Sequence, residues 1–247
     1  LTPDDTQTLS EMRRWLLLAK RTQAWDTPFN AVEAIWAFAD KGHLAALTDS
    51  AAPTRLSIDG RSIEEQGSAG LGYVRHTETL TNAPATLTAE KSSDGTSWGA
   101  VYAQYLQPMR EIRASSAGLK VSRELLDEDD KPATQLTVGD RVRVRITIQA
   151  DRDYDFVMVN DMRAACLEPV AQESGYQWGY YLETRDQSTR YFFHQIAKGK
   201  HVVETEYYID REGNYLSGTC TAQCAYAPEY SGRTTAATVK VSKPTTY

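Results

Sequence analysis

The chain has 247 residues, of which 41% are hydrophobic and 24% charged, a composition typical of globular proteins. Its formal net charge of −6 argues against nucleic-acid binding, because nucleic-acid binders concentrate Lys and Arg on one face. No apolar run approaches the roughly 18 residues that span a bilayer, so we expect no direct membrane insertion. The chain begins at Leu1 without a Met or a signal sequence, which we interpret as a piece of a longer protein.

The N-terminal region has the apolar spacing of two helices, which we predict over residues 3–20 and 28–40. Pro28 suits the first turn of the second helix, where its missing N–H leaves no hydrogen bond unmade. Thr27 before it is a candidate cap. Because the connection between the two helices is short, we expect an antiparallel helical hairpin.

From about residue 53 the pattern changes to the period of two that is typical of strands. Asp59-Gly60 lies between two short apolar-polar runs and is a strong β-hairpin signal. The same pattern predicts a compact β region with a turn at 92–95 and further strands over residues 72–79, 85–91, 97–106 and 110–115.

A charge run at residues 127–132 interrupts the strand pattern. We interpret it as a solvated loop, because it lacks the glycine and the bidentate glutamate of an EF-hand calcium loop. Residues 141–149 then alternate strictly between polar and β-branched side chains. This alternation predicts a strand with one face in a core and its arginines toward water or a neighbouring domain. A last strand is predicted over residues 235–242.

Short aromatic and β-branched runs recur about every 8–12 residues between Tyr154 and Tyr230, separated by turn residues. This spacing is typical of an antiparallel β-sandwich. The predicted fold class is therefore mainly β, with antiparallel β-sandwich domains preceded by an N-terminal α-helical hairpin.

The three cysteines are too few for a disulfide scaffold. If Cys220 and Cys224 share a strand, their Cα atoms lie roughly 13 Å apart, far beyond the 4.4–6.8 Å or so that a disulfide allows. We expect both to be free core-filling residues, on the same side of the strand as Ala222 and Tyr226.

We predict no catalytic, cofactor-binding or metal-binding residues. His194 and His201 could meet across a hairpin, but the four histidines lack the spacing of a metal site. Gly67-Ser68-Ala69-Gly70 is the nearest approach to a nucleophile elbow and is better interpreted as a loop. Glu204 and Glu206 would lie about 6–7 Å apart, a spacing that a glycosidase could use. Exposed alternate positions of an ordinary strand give the same spacing.

Four aromatic residues lie close together in the sequence: Tyr176, Trp178, Tyr180 and Tyr181. Such residues could form a stacking platform for sugar or peptide, or belong to a domain core or interface.

Several short motifs between residues 156 and 229 occur in a recognisable order. They are Phe156-Val157-Met158-Val159, Arg163-Ala164, Glu168-Pro169, Ser174-Gly175-Tyr176, Phe192-Phe193, Lys198-Gly199 and Tyr226-Ala227-Pro228-Glu229. In this order they resemble the C-terminal macroglobulin-like domain of bacterial α-2-macroglobulins. The apolar pattern from Trp15 to Ala37 resembles the last helical hairpin of the α/α-toroid in the same family.

The resemblance implies three domains: a helical hairpin at 1–44 from the end of the toroid, a small CUB-like β-domain at 45–116, and a C-terminal macroglobulin-like β-sandwich at 117–247. Some family members carry a thioester between a Cys and the Gln three residues later. Cys166-Leu167-Glu168-Pro169 has Pro at that position, so no thioester can form there.

The resemblance further implies a periplasmic, cell-surface or extracellular protein that inhibits peptidases by entrapment. This chain would be its C-terminal structural and interaction region, with the remaining domains as partners and target proteases contacted through the full-length protein. It would need no cofactor and would not be an enzyme. The alternative is a β-sandwich module that binds glycan or peptide.

Overall fold

A computed structural model describes residues 5–25, 27–39, 54–63, 75–81, 85–92 and 99–243. The chain divides into two compact units, one formed by Leu1–Ala24 with Tyr105–Tyr247 and the other by Trp25–Gln104. The domain boundaries at residues 44 and 116 stay a prediction.

Both predicted helices are present, as α1 (Thr6–Thr22) and α2 (Pro28–Ala39). The second begins at Pro28, and the N–H of Asn30 reaches the Thr27 hydroxyl at 3.4 Å, in agreement with the predicted cap. No described helix is long and apolar enough to cross a membrane.

The unit of residues 25–104 contains one small antiparallel sheet. Its strands are β1 (Arg55–Ile58), β2 (Arg61–Ser62) and β3 (Leu87–Glu90), in the order β2-β1-β3. Asp59 and Gly60 have φ values of 49° and 78°, as in the turn that joins two strands of a tight hairpin. The hairpin at Asp59-Gly60 and the strand predicted over residues 85–91 are therefore confirmed.

Three other predicted strands are wrong where the structure describes them. Residues 75–79 and 99–106 are irregular, and residues 110–115 begin in a short 3-10 helix at Met109–Glu111. Residues 72–74 and 97–98, together with most of the turn at 92–95, lie outside the described residues. Side chains such as Val101 and Tyr102 are exposed, and β-branched or aromatic residues form strands only where a partner strand and a core support them.

The C-terminal region forms the predicted antiparallel sandwich. Its strands are β4 (Ser115–Ala117), β5 (Leu119–Leu126), β6 (Leu136–Thr137), β7 (Arg141–Ala150), β8 (Tyr154–Met162), β9 (Leu167–Pro169), β10 (Gly175–Gln177), β11 (Tyr180–Thr184), β12 (Ser188–Ile196), β13 (Gly199–Ile209), β14 (Gly213–Leu216), β15 (Cys220–Cys224), β16 (Ser231–Arg233) and β17 (Thr238–Ser242). Eleven of them follow the order β10-β11-β12-β8-β15-β16-β4-β5-β7-β13-β9, and β14-β17-β6 form a small separate sheet with a parallel β17–β6 pair.

The eleven strands fold over at β4 into two layers that enclose one core. Strands β5, β7, β13 and β9 form the first layer, and β10, β11, β12, β8, β15 and β16 form the second. Hydrogen bonds cross between the layers: one joins the hydroxyl groups of Tyr191 and Thr205 at 2.6 Å, and another joins those of Thr189 and Tyr207 at 2.8 Å. Gly118 has a φ of 79° and allows the chain to turn from β4 directly into β5.

The alternation predicted for residues 141–149 is confirmed. The apolar side chains of β7 are buried, and they alternate with polar side chains that are partly or fully exposed. The charge run at 127–132 is the predicted loop. Its turn is held by Asp127, whose side-chain oxygen accepts hydrogen bonds from the N–H groups of Asp129 at 3.0 Å and Lys131 at 2.8 Å. The last predicted strand is present as β17.

Candidate functional site

The predicted aromatic group lies on the β10–β11 hairpin, at the outer end of the second layer. Gln177 pairs with Tyr180, so Trp178 and Gly179 alone form the turn, and Gly179 has a φ of 92°. Because successive strand side chains point to opposite faces, the hairpin separates the four aromatic residues into two groups.

Tyr180 points into the sandwich. Its ring packs against Tyr191 and Phe193 with centroid distances of 5.6 and 5.4 Å. Burial raises the pKa of its hydroxyl above the usual value. This residue is partly buried and packs against the core of the sandwich.

The other three aromatic residues face outward and continue onto β12. Tyr176 lies opposite Tyr181 across the hairpin with ring centroids 5.0 Å apart, and Tyr181 lies opposite Phe192 with centroids 6.4 Å apart. Trp178 is 100% exposed and Tyr176 is 88% exposed. We call Tyr176, Trp178, Tyr181 and Phe192 the aromatic platform.

A second aromatic cluster lies two residues further along β12. His194 packs edge-on against Phe156 at 5.0 Å, and Phe156 packs edge-on against Tyr226 at 5.2 Å. Phe156 has a φ of 56°, which is uncommon for a bulky residue and marks a local distortion of β8. Tyr226 is exposed beyond the end of β15, so the expectation that it shares the buried side of Cys220 and Cys224 is wrong.

The sequence analysis did not identify Phe192 as part of the aromatic platform, and it did not identify the second aromatic cluster. The alternation along β12 was the available signal, since Tyr191 and Phe193 are buried while Phe192 and His194 face out.

Beneath these faces, a buried ion pair joins the two layers. The Arg123 guanidinium of β5 donates to the Asp161 carboxylate of β8 at 2.8 Å, to Ser217 Oγ at 2.6 Å, and to the carbonyl oxygens of Met162 and Gly218 at 3.1 and 2.9 Å. Burial raises the pKa of Asp161, and the positive charge of Arg123 acts in the opposite direction. The four partners of Arg123 are all protein groups, so the pair holds strands of the two layers in place.

The carboxylates that suggested a glycosidase spacing are engaged in ion pairs. Arg145 contacts Glu204, and Arg141 contacts Glu206 at 2.7 Å. These contacts lie across the β7–β13 pair on the outer face of the first layer. The arrangement is a charged strand surface rather than an acid–base pair.

The other residues singled out in the sequence do not converge on one site. His194 and His201 lie on strands that pair with different neighbours, and the His201 ring contacts the Ala197 carbonyl oxygen at 2.6 Å. The three cysteines are unpaired and buried. Gly67-Ser68-Ala69-Gly70 lies outside the described residues. Within the part of the chain that the structure describes, no group of three His, Cys, Asp or Glu side chains could hold a metal ion.

Residues 118–229 match the family model of the bacterial alpha-2-macroglobulin MG10 domain. Among solved structures, the chain is similar to trypsin-activated alpha-2-macroglobulin from Escherichia coli, with a TM-score of 0.53, 16% identity, and coverage of 99% of this chain and 17% of that chain. It is similar in the same way to E. coli alpha-2-macroglobulin activated by porcine elastase, with a TM-score of 0.53, 16% identity, and coverage of 99% and 22%. At this identity the likeness shows the fold.

Salmonella alpha-2-macroglobulin reacted with methylamine also matches, with a TM-score of 0.47, 15% identity, and coverage of 79% of this chain and 13% of that chain. The chain thus spans between 13% and 22% of the length of these structures. A comparison with curated protein sequences gives no match.

Proposed function

We propose that this chain is a fragment of a bacterial alpha-2-macroglobulin and forms the C-terminal structural and interaction region of a protein that inhibits peptidases by entrapment. Residues 118–229 match the MG10 domain of that family. The match to the MG10 domain supports this proposal most directly. In the parent protein, a protease would be held after it cleaves an exposed segment, and this region would change its contacts with the other domains during that rearrangement.

We propose that this region contacts the other domains through the aromatic platform. A large apolar side chain that stays in water forgoes roughly 1.5–3 kcal/mol of burial free energy. Trp178 and Tyr176 are the most exposed members, and both sit on a short hairpin at the end of a layer. A neighbouring domain that covers them would gain apolar burial without any change in the core of the sandwich.

The proposal also extends to the target proteases, the location of the protein and its lack of catalysis. Target proteases would be contacted through the full-length protein, and the protein would work in the periplasm or at the cell surface. The net charge of −6 is consistent with a partner other than nucleic acid. The region itself would carry no catalytic group, since the carboxylates and histidines considered above are engaged in ordinary surface and ring contacts.

The test uses the parent protein with Trp178→Ala and Tyr176→Ala. After protease is added, we expect the wild-type parent to block cleavage of a large protein substrate while a small peptide substrate is still cut. The platform variants should change the fraction of protease that is shielded. Tyr105→Ala removes another exposed aromatic ring, which is 70% exposed and lies outside the platform, and should leave that fraction unchanged.

Two results would contradict the proposal at different levels. If the wild-type parent leaves cleavage of the large substrate unaffected, entrapment is wrong. If the parent traps proteases but the platform variants behave as wild type, the platform is not the contact surface. The 247-residue chain alone should not inhibit any protease, because it spans only 17% and 22% of the matched E. coli alpha-2-macroglobulin structures.

The fully exposed Trp178 also favours the second candidate, a β-sandwich module that binds glycan or peptide. Titration of the isolated chain with oligosaccharides or peptides, followed by tryptophan fluorescence, distinguishes the two. Saturable binding that Trp178→Ala abolishes would favour the binding module over the interdomain contact.

A further inference from the structure

The first layer of the sandwich ends in a partly open strand edge. Strand β13 pairs along its whole length with β7, from Gly199 opposite Ala150 to Tyr208 opposite Arg141. On its other side, β9 pairs only with residues 207–209. Among the described residues, Val170 adds one hydrogen bond to the Glu206 carbonyl oxygen at 3.0 Å, and no pairing continues from there toward Gly199.

The backbone groups that face this open side can be assigned by alternation. In an antiparallel ladder, a residue directs both its N–H and its C=O to one side, and the next residue directs them to the other. The Glu206 carbonyl points to the open side, where it meets Val170. The register with β7 is continuous, so Glu204, Val202 and Lys200 also point to the open side.

The open edge has two clear ends. At one end Val170 and β9 occupy the place beside Glu206. At the other end the strand begins at Gly199, whose φ of 128° turns the chain toward β12. The edge available to a partner is therefore Lys200 to Glu204, and an exposed row of unpaired backbone groups of this kind is a template for another strand.

We propose that this edge pairs with the same edge of a second copy of the chain, antiparallel and about a two-fold axis at Val202. A symmetric interface of this type is self-complementary, because the same patch serves both copies. With the axis at Val202, residues that direct their backbone groups outward face each other, as a hydrogen-bonded ladder requires. The open edges of the two copies have the same length and the same ends.

The side chains favour this axis over axes at Lys200 and Glu204. Lys200 lies directly opposite Glu204 of the second copy on the outer face, twice in the dimer, and opposite charges across a strand pair are favourable. Val202 meets Val202 of the second copy, and this side chain is 46% exposed in the single chain. An axis at Lys200 or at Glu204 would place like charges directly opposite each other, which is unfavourable.

This dimer needs only residues of the MG10 domain, so it does not depend on whether the parent protein traps proteases. It forms one continuous sheet from the two first layers. The outer-face ion pairs of Glu204 with Arg145 are compatible with it, since a carboxylate can accept from more than one cation.

The test is sedimentation equilibrium of the 247-residue chain over a range of concentrations, with two charge-reversal variants. Lys200→Glu places two carboxylates opposite each other, and Glu204→Lys places two ammonium groups opposite each other. We expect a monomer–dimer equilibrium for the wild type and a dimer weakened about ten-fold or more in each variant. An equimolar mixture of the two variants restores complementary pairs and should form a heterodimer about as tight as the wild-type dimer.

Matched controls lie just outside the edge. Lys198→Glu and Glu206→Lys reverse charges near the same strand but beyond the paired segment, and both should leave the dimer unchanged. Val202→Pro removes an N–H that points to the open side, so it should block the dimer while the β7–β13 ladder stays intact. Circular dichroism checks that each variant is folded.

The proposal is overturned if the wild type stays monomeric up to its solubility limit. It is also overturned if a dimer persists in Lys200→Glu, because another surface, such as the one around the exposed Trp15 of α1, would then hold it. Failure of the variant mixture to associate would exclude the proposed register.

Discussion

Replacing Gly118 with Ala should destabilise the sandwich by about 2–5 kcal/mol. Gly118 has a φ of 79°, and a Cβ built there would lie 2.1 Å from the Tyr154 hydroxyl oxygen and 2.9 Å from the Tyr230 ring. The left-handed conformation costs an L-residue roughly 1–2 kcal/mol. Inserting an atom into a packed site adds about 1–3 kcal/mol.

Tyr154 has little freedom to move aside. Its side chain is completely buried, and its hydroxyl donates to the Asp151 carboxylate at 2.5 Å. Its ring also packs against Tyr230 with a centroid distance of 5.4 Å. The clash therefore falls on the place where β4 turns into β5 and the sheet folds over.

The measurement is urea unfolding at pH 7, followed by far-ultraviolet circular dichroism. Gly139→Ala is the matched control, because Gly139 has a φ of 98° but no atom within 4 Å of an added Cβ. Gly139→Ala should lower the free energy of unfolding by only about 1–2 kcal/mol. Tyr154→Phe removes the nearest oxygen, so its combination with Gly118→Ala should lose less than the sum of the two single changes. Equal losses for the two glycine variants would refute the packing argument.

Three further predictions concern the buried ion pair, acid stability and the thiols. Arg123→Met and Asp161→Leu should each lower the free energy of unfolding by about 3–5 kcal/mol, because each leaves a buried charge without its partner. In the same urea assay, the double variant should recover most of this loss. Arg152 and Tyr154 donate to Asp151 and lower its pKa, so its contribution to stability is present above about pH 4 and is lost as the pH falls through the lowered pKa. Asp151→Asn should therefore be less stable than the wild type at pH 7, with a difference that closes on acidification; a constant difference would contradict this. Thiol titration of the denatured chain should count three free cysteines, and a count of one would contradict the unpaired state.

Local patterns in the sequence were sufficient for elements whose partners are nearby in the chain. The Asp59-Gly60 turn, the two helices and the alternation of β7 were all predicted correctly, because turn chemistry, helical spacing and the pleat act within a few residues. The stretch 99–106 has the same strand-like composition but is irregular, because composition does not supply a partner strand or a core.

The candidate site was predicted as a set of residues and not as a surface. The sequence identified the aromatic residues of the β10–β11 hairpin, but the position of the turn decides that Tyr180 faces the core and Tyr181 faces out. The Arg123–Asp161 pair and the open edge of β13 depend on which distant strands become neighbours. That information is non-local, so spacing along the chain could not reveal it.

The aromatic platform and the open edge of β13 belong to different layers and share no residue. The platform would bind through apolar side chains, and the edge through backbone hydrogen bonds with a charge pair at each end. Substitutions should therefore separate the two contacts. Trp178→Ala should leave the sedimentation behaviour of the chain unchanged, and Lys200→Glu should leave trapping by the parent protein unchanged. If Trp178→Ala weakens the dimer, the second copy contacts the platform, and the edge-to-edge arrangement with its axis at Val202 is wrong.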